Sequence, residues 1–476
     1  MAINSALRAL NRFGLGARVG EQSRLSDPRG WLRAQLGGRA PALAAPAVAT
    51  PQAIGDALRG LRMQGQLSEE ERRQARRRIG EISAAEIGTA LAARVTSDQP
   101  FLERLVAFWS NHLCVSTGGK AQVVPLAGSY EREAIRPHVL GRFTDMVLAS
   151  AKHPAMLVYL DNFQSIGPGS QGARLGRGRG GGTPRGLNEN YARELLELHT
   201  LGVDGGYTQG DVQELARILT GWGLEGFGGP GVRPQQMAAG GRRGGRGQIA
   251  RPDADGPIGF FFQPLLHEPG SKTVLGEKYG EAGVAEGERA IRALCQHPST
   301  VRFVARKLVT HFVSDEPPAA AVDRIAQVFR SSDGDLRAVA QALVELPEAW
   351  SEDTRKFRTP QDWFVAVLRA FGASEANANA ANILRQLRQP VWSPASPKGY
   401  GDLMQEWADP DSLLNRGELA RSLTSRPAMR NMDPRRLLDV VEVPDGNPLH
   451  GLLADNSIPA HERVALALAG PAFQWR

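Results

Sequence analysis

Apolar residues recur at helical spacing through most of the chain. The run PFLERLVAFWSNHL places Leu102, Leu105, Trp109 and His112 along one stripe, and VRFVARKLVTHFV repeats the arrangement with Val304, Leu308, His311 and Phe312. Such spacing predicts helices that each turn one face to a core. Strand-like alternation is scarce. Thr208 followed by Asp211 reads as a capping box for DVQELARILTGW, whose Val212, Leu215, Ala216 and Leu219 recur at i, i+3, i+4 and i+7, with Gly221 as its end. A partner helix is predicted from Asn188 to Leu201, stopped by Gly202, and the two should form a helical hairpin. Their connection, GVDGGY, is longer than the turn of a DNA-reading helix-turn-helix. The stretch FFFQPLLHEPGSKTVLG, with its aromatic run, prolines and glycines, is where irregular or short extended structure belongs. The expected fold class is all-α: one compact multi-helix domain over residues 1–476, without a fixed-period repeat.

Composition agrees with a globular body: 476 residues, of which 42% are hydrophobic and 22% charged, enough to bury a large core. No window approaches the roughly 18 uncharged apolar residues of a membrane span, and MAINSALRALNRFGLGAR lacks the apolar centre of a secretory signal. As written, the chain is expected in the cytoplasm, or exported if its true start lies upstream. Cys114 and Cys295 sit far apart in no metal-binding spacing, so buried small hydrophobes are expected rather than a disulfide or a thiolate site.

The net charge of +7 is local. Two Gly/Arg-rich stretches, 167–186 and 228–257, carry all of it: Arg174, Arg177, Arg179 and Arg185 in the first, and Arg233, Arg242, Arg243, Arg246 and Arg251 against Asp253 and Asp255 in the second. Their low complexity predicts disordered insertions on either side of the hairpin rather than a nucleic-acid surface.

Several runs carry a family likeness: FWSNHLCVS at Phe108, YEREAIRPHVLGRFTDM at Tyr130, HPAMLVYLDN at His153, and LNENYARELLELHTLGVDGGYTQGDVQELARILTGW from Leu187 to Trp222. Weaker likeness continues in HEPGSKTVLG, QPVWSPASPKGYGDL and the final GPAFQWR. On these runs the chain resembles the bacterial family of unknown function catalogued as domain of unknown function 1800 (DUF1800). The resemblance implies a frequent genetic neighbour, a sulfatase-like protein, as a partner. Where the family usually has Asp after His267, this chain has Glu268.

The candidate chemistry lies on the predicted helices. Glu189, Arg193 and Glu197 stack at i, i+4 and i+8, opposite an apolar face of Tyr191, Ala192, Leu195, Leu196 and Leu198. They read either as an intrahelical ion-pair ladder or, if packed on both sides, as a catalytic cluster together with Glu131. His112, His199 and His311 each sit on or beside an apolar stripe of a separate helix. Three converging imidazoles would hold a metal ion or a haem iron, with Glu131 and His138 as a further ligand or base. His267, with Glu268 and Lys272, reads as an anion-binding loop or simply a turn. GRGRGG satisfies a dinucleotide fingerprint only literally, since no strand precedes it, and no Walker A, GxSxG or HExxH motif occurs. Two functions follow: an enzyme that depends on a metal or redox cofactor, or a non-catalytic binding or assembly protein.

Overall fold

The structure, a computed structural model, describes residues 4–177 except 64 and 66, 186–225, 257–374, and 379–476 except 431 and 445. Many of the helices start where the sequence supplies an acceptor for the free amides of their first turn. Ser68 and Glu71 form a reciprocal capping box at the head of Glu69–Thr96, and Thr208 and Asp211 do the same for Gln209–Ile218. The predicted hairpin is present. Its first arm runs as a helix over Asn190–Glu194 and widens into a π-helical turn over Leu195–Thr200, ending at Gly202 with φ +88°.

The protein is mostly helical, with two small antiparallel sheets. Trp222–Glu225 pairs with Gly259–Phe262, Trp222 facing Phe262, and Lys272–Val274 pairs with Glu277–Tyr279. Both lie in or beside the stretch predicted to be irregular or extended. Among the described residues no helix is long and apolar enough to cross a membrane.

The predicted insertions differ from expectation in part. Residues 178–185 and 226–256 lie outside the described residues. The start of the first insertion is structured, because its amides find fixed acceptors. Gly167 N–H donates to the Leu266 carbonyl at 2.9 Å and Gly169 N–H to Glu268 Oε2 at 2.7 Å, and a helix follows over Gln171–Arg177.

Apolar side chains collect in two clusters. The larger is built from the stripes of Pro100–His112, Phe143–Lys152, Val284–Gln296, Pro298–Phe312 and Ala319–Ser331; the second from Pro360–Ala370, Pro410–Thr424 and Ala460–Ala469. The first helical segment lies between them, giving Ala9 and Phe13 to the larger cluster and Leu7 and Leu10 to the other. Leu25, Trp31 and Trp392 pack against both. The two cores therefore share a seam.

At that seam Gly16 has φ +115°, and a Cβ there would stand 2.7 Å from Ala366 Cβ and 2.9 Å from Ala366 Cα. Neither the backbone conformation nor the space admits a side chain. Gly16→Ala is expected to lower stability by about 2–4 kcal/mol in urea denaturation; a loss under about 0.5 kcal/mol would show that the seam is loosely packed.

Candidate functional site

The Pro298–Phe312 helix has two distinct faces. Val301, Val304, Ala305, Leu308 and Phe312 are buried in the larger core. Phe303, Arg306, Lys307, Thr310 and His311, at i, i+3, i+4, i+7 and i+8, form a separate stripe along one wall of a cavity of about 310 Å³. The facing wall is the last turn of Pro100–His112, which brings Phe108, Asn111 and His112. Asp362 and Val365 close one end, from the helix of the second core, and the 389–406 segment forms a rim. The cavity thus opens at the seam between the cores, a common place for a ligand.

The rim is held by the backbone and side chains of 110–117. Tyr400 N–H donates to Asn111 Oδ1 at 2.8 Å, Asn111 Nδ2 donates to the Tyr400 carbonyl at 2.9 Å, and Ser116 Oγ donates to the Pro394 carbonyl at 2.6 Å. Trp392, with φ +49°, donates its indole N–H to Glu131 Oε2 at 2.8 Å. The same oxygen accepts from Arg94 Nη2 at 3.0 Å and Ser110 Oγ at 2.9 Å, while Glu131 Oε1 has no partner. Although burial raises the pKa of this carboxyl, Arg94, Arg136 and these hydrogen bonds outweigh it and hold the pKa below the usual carboxylate range.

His311 Nδ1–H donates to Asp402 Oδ2 at 3.0 Å, and its Nε2 lies 3.5 Å from Arg104 Nη1. Arg104 binds Asp362 at 3.0 Å and the Gly14 carbonyl at 2.6 Å. Burial pushes His311 down to about 4 despite Asp402, so the ring is neutral near pH 7. His112 Nε2–H donates to the His199 carbonyl at 3.1 Å, which leaves Nδ1 as an unpartnered acceptor. Burial is also the largest cause of the lowered pKa values of His112 and of His199, the latter pushed down to about 3.

The cavity's cations are unevenly paired. Arg94 and Arg104 hold carboxylates, but Arg306, Lys307 and Lys398 make no ion pair among the described residues. Arg306 and Lys398 are exposed; Lys307 is half-buried, its Nζ 5.6 Å from the centre of the Phe303 ring. Lys120, Lys152, Lys272 and Lys356 each reach an acidic side chain. Burial lowers the Lys307 pKa and Lys398 lowers it further, against the opposing influence of Cys114 and Asp402. Cys114 also lines the cavity, but burial pushes its thiol up to about 12, so it is no nucleophile at neutral pH.

The sequence-predicted residues fall in three places. His112 and His311 line the cavity, and Glu131 backs it through Arg94, Ser110 and Trp392. His199 lies behind His112. Glu189, Arg193 and Glu197 are elsewhere, on the outer side of the hairpin: Glu189 and Arg193 pair at 3.3 Å with side chains 29% and 40% exposed, and Glu197 accepts from Tyr207 Oη. The projection that aligned Glu197 with that ladder assumed 100° per residue, which the π turn at 195–200 breaks. His112, His199 and His311 do not form a ligand set, since among the described residues no three His, Cys, Asp or Glu side chains are placed to hold a metal ion. His138 is half-buried and lies outside the cavity lining. His267 is closed off by Thr220 and Glu286, and Lys272 by Glu286 and the Glu268 carbonyl, so neither side chain is free for an anion.

Lys307, Asp402, Asp362 and Trp392 were missed. The signal for the first was present: Lys307 and His311 are four apart on the polar stripe of a helix whose apolar stripe is complete without them.

A family model described as "Protein of unknown function (DUF1800)" matches residues 8–475. The chain belongs to that family. No curated protein and no solved structure matches it. In this DUF1800 member, the runs FWSNHLCVS and QPVWSPASPKGYGDL that carried the likeness supply one wall and the rim of the cavity, joined through Asn111, Ser116 and Tyr400.

Two outcomes follow. Glu131→Ala strands Arg94 and two neutral donors in the interior and is expected to cost about 3–5 kcal/mol, against about 0.5 kcal/mol or less for Glu189→Ala, both by urea denaturation. The second concerns pH. His112, His199 and His311 have folded pKa values below the usual 6.5, so their protonation favours the unfolded chain. Stability is full above 6.5 and falls as the pH drops below it, by about 1.4 kcal/mol per pH unit for each ring. His199→Asn should flatten this slope by about one ring's share, and an unchanged slope would show that His199 is protonated in the folded protein.

Proposed function

We propose that this protein binds a small anionic molecule, carrying a carboxylate, sulfate or phosphate, in the cavity between its two cores. The observation that carries this reading is Lys307, an ammonium on the cavity wall with no carboxylate of its own. A half-buried cation without a partner is costly, and a bound anion restores the missing interaction. Arg306 and Lys398 add unpaired positive charge to the same lining, while Asp362 and Asp402 are engaged by Arg104 and His311 and leave the lysine free. The Phe108, Phe303 and Val391 side chains suit an apolar stem. The volume fits a compact metabolite rather than a peptide.

Isothermal titration calorimetry with inorganic phosphate, sulfate and succinate, at fixed ionic strength, tests the reading. At least one should bind the wild type. Lys307→Met should weaken it about 10- to 100-fold, the loss of one charge-assisted hydrogen bond, while Lys307→Arg retains most of the affinity. Because binding needs the ammonium and its pKa lies below 10.5, affinity should fall as the pH rises, beginning under that value. Absence of binding by all three anions, or equal affinities for wild type and Lys307→Met, would sink the proposal.

A further inference from the structure

The same lysine is placed for more than charge recognition. We propose that Lys307 is a carbonyl-condensing amine, forming an imine with a small aldehyde or ketone whose acidic group is held by Arg306 and Lys398; the proposal rests on the anion-binding reading of this cavity. The class of substrate is an oxo acid or a phosphorylated or sulfated carbonyl compound.

Three features point this way. First, Lys307 is chemically unlike the chain's other described lysines. Lys120, Lys152, Lys272 and Lys356 are tied to Asp161, Glu288, Glu286 and Asp315, whereas Lys278 and Lys398 are exposed to solvent. Lys307 alone among them is half-buried without an acidic partner. Second, burial and the cation Lys398 favour the neutral amine, against the opposing influence of Cys114 and Asp402. The groups around it are Cys114, with a thiol that stays protonated, His112 and His199, Asp402 already engaged by His311, and the cation Lys398. Desolvation together with a neighbouring cation is how a lysine becomes a nucleophile near neutral pH. Third, the cavity supplies room at the amine, with cations beyond it for the acidic end of the substrate.

The step balances without a redox partner. The ammonium first gives one proton to solvent. The nitrogen lone pair then forms a C–N bond as the carbonyl π bond breaks onto oxygen, and one nitrogen hydrogen moves to that oxygen to give a carbinolamine. Loss of water, carrying the carbonyl oxygen and the second nitrogen hydrogen, leaves the imine. Protonated, the imine is an electron sink for bond cleavage or proton exchange at the adjacent carbon.

The test is reductive trapping. The full chain is incubated with glyoxylate and sodium cyanoborohydride at neutral pH, and carboxymethylated lysines are located by peptide mass spectrometry. Labelling at Lys307 should exceed that at Lys278 and Lys398, whose side chains are exposed to solvent. Glycolaldehyde, of similar size but uncharged, should label Lys307 more slowly than glyoxylate does, and an anion that binds in calorimetry should protect it. Lys307→Arg separates the two proposals, because it keeps the charge but cannot form an imine: it should bind the anion and show no adduct at this position. Lys307 labelled no faster than Lys278 in a protein that does bind the anion overturns the imine and leaves the anion site standing. Failure of both binding and trapping overturns both.

Discussion

Much of this structure depends on how it buries arginine. Arg12, Arg104, Arg358, Arg369, Arg416 and Arg476 are almost wholly enclosed, and a guanidinium out of water is tolerated only when its donors are met. Here backbone carbonyls and carboxamides do most of this. Arg12 donates to the Val313 and Thr354 carbonyls, Arg369 to Gly16, Val95 and Ser97, Arg358 to Phe473 and the Asn11 carboxamide, and Arg416 to the Gln474 carboxamide and the Arg358 carbonyl. Arg476 reaches the carbonyls of Arg12 and His311. Desolvation lowers Arg358 to about 9 and Arg104, Arg369 and Arg416 to about 10, yet all four stay charged at neutral pH. These contacts join segments from 58 to 464 residues apart, so the first turns of the chain, the Pro360–Ala370 helix and residues 473–476 are fixed against one another.

The cavity inherits its electrostatics from that network. Asp362 is held by Arg104 and Arg476, and Asp402 by His311 with Arg476 nearby. Both carboxylates are therefore saturated on the side away from Lys307, which stays unpaired although acids line the same space. The lining draws on both cores, so its shape is set by their packing across the seam where Gly16 meets Ala366.

What the sequence disclosed followed physical range. Local signals were legible: the Thr208–Asp211 capping box, the Gly202 stop and the stripes around Trp109 and Leu308 depend on residues within two turns. The π turns at 9–13, 131–135 and 195–200 were not, since an inserted residue in a helix has no compositional mark. One of them displaced Glu197 from its expected ladder. Among the described residues His112, His199 and His311 are not gathered into one ligand set, a placement the sequence does not disclose, because an inward-facing histidine looks the same in sequence whether it meets another ring, a carbonyl or an aspartate. Asp402 and Trp392 sit in a run with no helical period, and only the long-range pairing of that run with Asn111 and Ser116 reveals their place.

The Pro298–Phe312 helix divides the labour between folding and chemistry within a single turn. Its apolar face meets the core through Val304, Leu308 and Phe312, while Lys307 and Thr310 line the cavity and Phe303 lines it with its ring against Gly202. Substitutions on the second face can change the shape and charge of what the protein accepts without unseating the helix. Across homologous chains, that face is the place to look for divergence in ligand preference, against a background of an unchanging scaffold.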